Sequence, residues 1–301
     1  MSDLEQRNNP YNVTQASRIY FLPNLMTAGN LFCGFAAVIK CIQARLLTDA
    51  GEYATLHAAQ SPTALYTHAV WLILAAVIFD SLDGRLARMG GRTSLFGAEF
   101  DSLADVVSFG MAPALMVFFL ILAPREEYQW FRELGWMIAF IYLLCGAVRL
   151  ARFNVITNPL LHRSEAESHK DFVGLPIPAA AGTVASLVLL LLNMSRNAQE
   201  LRQLTLGLPL ILILVSFLMV STVRYPSFKQ VNWETKTRFR TFVGVLVGLV
   251  LIVRLQEVSL FFIFLAYISY GLFTHYQRSV RHAQMRGLRR KVVKMKQDVS
   301  E

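Results

Sequence analysis

Four aspartates at fixed spacing carry the chemistry open to this sequence. Asp80 and Asp83 lie three residues apart, and Asp101 and Asp105 lie four apart. With Gly84, Ala87 and Arg88, the first pair occupies positions i, i+3, i+4, i+7 and i+8, which share one face of a helix. Gly97, Asp101 and Asp105 share one face of the next helix. The intervening Met89–Thr93 (MGGRT) contains two glycines suited to a short turn. The spacing therefore predicts a helical hairpin with two facing acidic stripes. Converging carboxylate oxygens suit hard divalent cations such as Mg²⁺ or Mn²⁺. Two such ions about 4 Å apart would stabilise both the attacking and the leaving oxygen of a phosphoryl transfer. Ion pairing with Arg85, Arg88 and Arg92 offers a purely structural account, but it does not explain why all four acids fall on two facing stripes.

The elements that must position these acids are read from hydropathy. The chain has 301 residues, 54% of them hydrophobic and 16% charged, whereas soluble domains carry about 25% charged residues. Its apolar residues form runs of the length that crosses a bilayer, about 18 or more. Eight spans are predicted, near 24–46, 68–89, 103–123, 134–155, 177–194, 204–223, 239–254 and 257–276. The fold class expected is an all-α polytopic membrane protein. A charged side chain in a bilayer costs at least about 2.5–3.5 kcal/mol, so four clustered carboxylates need a positive partner. The acidic, polar N-terminal MSDLEQRNNP lacks the basic start and short apolar core of a signal peptide. Cys33, Cys41 and Cys145 lie in apolar segments without a CxxC pair, so they read as buried small hydrophobes and neither a disulfide nor zinc is invoked.

The Lys and Arg residues give this topology a direction. With eight spans, 22 of the 29 fall on the side of the N-terminus, including those around the aspartates. Positive residues mark the cytoplasmic face, so both termini and the acidic hairpin are expected there, in the cytoplasmic membrane. The tail from Arg278 to Lys296 is basic with scattered apolar residues. It fits a surface-lying segment on an anionic leaflet, or a solvated tail that fixes topology. The basic excess is assigned to the membrane and not to nucleic acid.

The pattern Asp80-x-x-Asp83-Gly84-x-x-Ala87-Arg88, then eight residues, then Gly97-x-x-x-Asp101-x-x-x-Asp105, resembles the signature of the CDP-alcohol phosphotransferase family at every fixed position. The resemblance implies a six-helix membrane core, here followed by about two extra helices, with a polar cavity open to the cytoplasm and a two-metal site. It implies metal binding by Asp80, Asp83, Asp101 and Asp105, and a general-base role for Asp105 toward an acceptor hydroxyl. Contacts to a CDP-linked lipid donor are implied for Gly84, Ala87, Arg88 and Gly97. Asn24 and Thr27 join them through the element Pro23-Asn24-Leu25-Met26-Thr27, although helix capping alone would account for Asn24.

Three further stretches resemble the serine-transferring branch of that family: Arg149–Asn154 (RLARFN), Phe172–Ala179 (FVGLPIPA) and Ser221–Lys229 (STVRYPSFK). This likeness implies CDP-diacylglycerol and L-serine as substrates and phosphatidylserine and CMP as products. Arg149, Arg152, Asn154, Arg224 and Lys229 become candidates for the serine carboxylate or a lipid phosphate, because a guanidinium matches a carboxylate in a planar fork. Anchoring at the cytoplasmic end of a span would equally account for these cations. A same-family transferase using glycerol 3-phosphate, an inositol phosphate or choline stays open, and a cation-coupled transporter stays as a more distant alternative. The expected division is a cytoplasmic N-terminal segment (1–23), a catalytic core (24–230), an extra hairpin (231–276) and a basic tail (277–301). A homodimer embedded among membrane lipids is the expected assembly.

Overall fold

The computed structural model describes residues 21–51, 60–89, 95–122, 129–157, 172–195, 206–225 and 258–278. Helix α1 covers Phe21–Asp49 and α2 covers Pro62–Met89. Ser61 starts α2: its Oγ accepts a bond from the Ala64 amide at 3.2 Å, and Pro62 at the first helical position loses no bond it would otherwise make. That cap places the start of α2 six residues before the apolar run predicted from residue 68.

Helix α3 runs without a break to Leu122 but changes its winding. It is α-helical over Leu95–Asp105, π-helical over Val106–Met111, α-helical over Ala112–Val117 and π-helical again over Phe118–Leu122. It begins eight residues before the span predicted at 103–123, which brings Gly97 and Asp101 onto the same helix as Asp105. Pro113 accounts for part of the irregularity. It has no amide hydrogen to donate to the carbonyl of Phe109 four residues earlier, and Tyr142 Oη donates to that carbonyl instead, at 3.2 Å. A buried carbonyl thus finds its partner on another helix.

Helix α4 is Gln129–Thr157, α5 is Ile177–Met194, α6 is Leu208–Val220 and α7 is Val258–Arg278. All of these except α6, together with α1, α2 and α3, are long and apolar enough to cross a membrane, six helices in all among the described residues. The chain is a multi-pass membrane protein. Leucine and phenylalanine side chains on the outer faces, such as Leu210, Phe217, Phe32 and Leu103, are exposed as lipid contact requires. The seventh predicted span, 239–254, and all but Met89 of the predicted turn Met89–Thr93 lie outside the described residues.

Helix α6 has 13 residues where a span over 204–223 was predicted. It stops at Val220 because the chain turns extended and pairs with another segment. β1 (Phe172–Val173) and β2 (Arg224–Tyr225) form a two-residue antiparallel ladder, with Phe172 opposite Tyr225 and Val173 opposite Arg224. Gly174 continues this clasp with its amide on Val223 O at 2.8 Å, and Leu175 reaches Leu218 O at 3.0 Å. Gly174 has φ of 82° and lies against the Met219 carbonyl, so a side chain there meets both backbone strain and a clash. The clasp ties the entrance of α5 to the exit of α6.

The core is formed by inward faces of α1 to α6, around Ala37, Ile73, Phe109, Met116, Tyr142, Ala181 and Leu212. At its centre α1 and α3 approach closely: a methyl group at Gly34 would collide with the backbone and side chain of Ser108. Small residues at helix crossings allow such approach within membranes. This contact sets the height of the α1 polar residues against the α3 aspartates.

Candidate active site

The hairpin of α2 and α3 brings Asp80, Asp101 and Asp105 together. One carboxylate oxygen from each lies within 4.8 Å of the others. Asp80 is half-buried, Asp101 is half-buried and Asp105 is only 6% exposed. Helical spacing puts Asp101 and Asp105 one turn apart on α3, and α2 presents Asp80 opposite them. Asp83, 5% exposed, sits beside Asp101 one turn further along α2.

Helix α1 holds two of these carboxylates by hydrogen bonds. Thr27 Oγ1 donates to Asp83 Oδ2 at 3.0 Å, and Asn30 Nδ2 donates to Asp105 Oδ1 at 3.0 Å. Asn30 is itself anchored, because its backbone carbonyl accepts from Ser108 Oγ at 2.9 Å. Thr27 and Asn30 are three residues apart, so a single face of α1 addresses both acidic stripes. The close approach at Gly34 and Ser108, one turn beyond Asn30, fixes that alignment.

Several polar atoms here are buried with no partner among the described residues: Asp101 Oδ1, Asn30 Oδ1, Asn24 Nδ2 and Arg149 Nε. A buried polar atom left unsatisfied costs about 1–3 kcal/mol, so such a cluster points to an occupant. Three carboxylates at this separation also repel one another strongly in a low-dielectric setting. The all-oxygen donor set, the mutual repulsion and the unsatisfied Asp101 oxygen fit a divalent cation.

Helix α4 supplies the one described cation facing this cluster. Arg149 is 9% exposed, lies within electrostatic reach of Asp105 and Asp80, and has its guanidinium carbon 5.8 Å from the Phe153 ring centroid. Asn154 is directed elsewhere: its amide donates to Ser102 Oγ at 3.0 Å and reaches Glu99 Oε2 at 3.4 Å, which braces α4 against α3. Arg152, Gly84 and Gly97 are half-buried on their helices. The side chains of Ala87, Arg88 and Arg224, and the whole of Lys229, lie outside the described residues.

Asn30, Ser108 and Tyr142 were not among the predicted site residues. Asn30 follows Thr27 by three positions, and that helical register is the one sequence signal that pointed to it. Ser108 and Tyr142 carry no such signal, because their partners are 78 and 33 residues away in the chain.

The family model for CDP-alcohol phosphatidyltransferases matches residues 20–221. Among curated proteins, the chain is 37% identical over 255 residues to a CDP-diacylglycerol–serine O-phosphatidyltransferase of Helicobacter pylori strain J99, covering 84% of this chain and 90% of that protein. It is 39% identical over 157 residues to the archaetidylserine synthase of Methanothermobacter thermautotrophicus, covering 52% of this chain and 56% of that one. A CDP-diacylglycerol–serine O-phosphatidyltransferase of Saccharomyces cerevisiae is 36% identical over 166 residues, 55% of this chain and 52% of its own length.

Proposed function

The chain belongs to the CDP-alcohol phosphatidyltransferase family and is an enzyme, and from that premise we propose that it transfers the phosphatidyl group of CDP-diacylglycerol to the hydroxyl of L-serine. The products are phosphatidylserine and CMP. The observation that carries the reading is the convergence of Asp80, Asp101 and Asp105 with the nearly buried Arg149 beside them. The carboxylates suit a diphosphate donor held through cations, and the guanidinium suits an acceptor that brings its own carboxylate. The likeness to serine-transferring relatives over most of the chain supports the same acceptor, and its extent favours a diacylglycerol donor over an ether lipid.

In the proposed reaction Asp80, Asp83, Asp101 and Asp105 hold two divalent cations, Mg²⁺ or Mn²⁺. When bound, these neutralise the donor diphosphate and the departing CMP. Asp105 takes the proton from the serine hydroxyl, since an alcohol is a poor nucleophile without a base in hydrogen-bond reach. The serine oxygen then forms a bond to the phosphorus that carries diacylglycerol, and the bond from that phosphorus to the CMP oxygen breaks. Asn30 fixes one Asp105 oxygen and so sets the rotation of the carboxylate. Thr27 does the same for Asp83. Arg149 receives the serine carboxylate, with Arg152, Arg224 and Lys229 as further cations for carboxylate or lipid phosphate, whereas Asn154, engaged with Ser102 and Glu99, braces α4 on α3 instead of contacting serine. Asn24, Gly84, Ala87, Arg88 and Gly97 line the donor side, where small residues let the nucleotide approach the helix backbone.

The proposal extends to placement. The 22-to-7 division of Lys and Arg supports a topology with the active site and both termini on the cytoplasmic side of the cell membrane. Residues 24–230 form the catalytic core, 1–23 and 277–301 are cytoplasmic segments, and 231–276 are an added hairpin. The homodimer is carried by the family resemblance alone, and mass measurement in detergent tests it. The function itself is tested by CMP release from CDP-diacylglycerol with a panel of alcohols and Mg²⁺ or Mn²⁺. Release with L-serine alone is the expected result. Release with glycerol 3-phosphate, an inositol phosphate or choline instead would reassign the acceptor.

A further inference from the structure

Helix α7 lies beyond the segment matched by the family model, yet it reaches the active site. Its inner face packs on the core: Ile268 is buried, and the Phe264 ring fills the space where a side chain at Gly182 of α5 would stand. One turn beyond Ile268, Gly271 lies flat against the Tyr225 ring of β2, and any side chain there would collide with it. The Tyr225 ring is in turn tilted against that of Tyr267, with centroids 5.7 Å apart and planes at 32°. Tyr267 faces Arg149 of α4, whose charged neighbours among the described residues are Asp105 and Asp80.

Two donors in this corner have no partner among the described residues: Arg149 Nε and Tyr225 Oη. Both residues are buried, Tyr225 completely and Arg149 with 9% exposed. Burial pushes the Tyr225 phenol up to about 12, so at neutral pH it is an uncharged hydrogen-bond donor. The corner therefore holds an unpartnered guanidinium nitrogen at the edge of an acidic cluster and, on the far side of Tyr267, an unpartnered phenol. An anionic group on the acceptor is the ligand that satisfies them.

We propose that α7 supplies Tyr267 as a positioning residue of the acceptor subsite, where Tyr267, stacked on Tyr225, holds the Arg149 guanidinium toward the carboxylate of the incoming amino acid and the Tyr225 hydroxyl donates to that carboxylate. This rests on the serine reading above. It assigns the last described helix a part in acceptor selection, outside the acidic hairpin that performs the transfer. A helix that only packed on the core would need Ile268, Phe264 and Gly271, but it would not need a phenol next to Arg149.

The test uses the full-length purified enzyme in mixed micelles, with CMP release followed against L-serine at saturating CDP-diacylglycerol and then the reverse. Tyr267→Phe keeps the ring stack and removes the hydroxyl. It is expected to raise the KM for L-serine about tenfold, as loss of a hydrogen bond to a charged group would, with kcat and the donor KM unchanged. Tyr225→Phe is expected to move the serine KM in the same direction, and it serves if the first variant does not fold. In an Arg149→Lys background the effect of Tyr267→Phe should disappear, because the two residues act as one unit. An unchanged serine KM in both tyrosine variants, or a fall in kcat and thermal stability alone, would overturn the proposal. Absence of serine-dependent CMP release from the unmodified enzyme would overturn the serine reading beneath it, so the two failures are distinguishable.

Discussion

The meeting of α1, α2 and α3 and the meeting of α4, β2 and α7 treat buried polarity in opposite ways. In the first, cross-helix hydrogen bonds lock Asp83 to Thr27, Asp105 to Asn30 and Ser108 to the Asn30 carbonyl. The side-chain oxygens left over there, Asp101 Oδ1 and Asn30 Oδ1, are acceptors, with Asn24 Nδ2 the exception at the start of α1. In the second region the atoms left over are donors, Arg149 Nε and Tyr225 Oη. Oxygen acceptors call for a cation and clustered donors for an anion. On the proposed reading the site is thus divided into a preorganised cation half, which suits the diphosphate donor, and a half that an anionic acceptor would complete.

That division can be broken experimentally, and the largest effect belongs to the cation half. Removing divalent metal with a chelator should abolish CMP release, and readdition of Mg²⁺ or Mn²⁺ should restore it. Metal-independent turnover would remove the cation half altogether. Next comes Asn30→Ala, which frees the Asp105 carboxylate to rotate. A hydrogen bond to a charged group contributes about 1.5–3 kcal/mol, so kcat should fall about 10- to 100-fold with the serine KM little changed. A serine KM that rises in parallel would mean that the halves are not separate. The smallest effect belongs to Arg149→Lys, which keeps the charge but loses the planar fork. It should raise the serine KM about tenfold, the worth of a charge-assisted bond, and leave the donor KM alone. A donor KM that rises instead would move Arg149 to the phosphate side.

These halves were not equally legible in the sequence. The acidic hairpin is local: Asp80 to Asp105 lie on two helices adjacent in the chain, and periodicity of 3.6 residues states which side chains share a face. The six long apolar helices were legible for the same reason, since a bilayer demands uninterrupted runs. Helix ends were less so, because a serine cap at Ser61 and the extended clasp after Val220 override hydropathy. Periodicity shows that a face exists but not what lies opposite it. Asn30 meets Asp105 from 75 residues away, and Tyr142 meets the Phe109 carbonyl from 33 residues away. The α4, β2 and α7 corner is assembled wholly from such distant pieces, and α7 carried no chemical signal of its own.

The most direct test of the account is a paired measurement on Asp105→Asn: turnover of CDP-diacylglycerol with L-serine, and binding of the donor to the same protein. Asparagine preserves the shape of the side chain and removes its capacity to accept a proton. The account predicts a loss of kcat of about 10²–10⁴-fold, the range for removal of a general base, with donor binding largely retained. Turnover near that of the unmodified enzyme would contradict the assignment of Asp105 as the base and, with it, the reaction centre placed at the meeting of α1, α2 and α3.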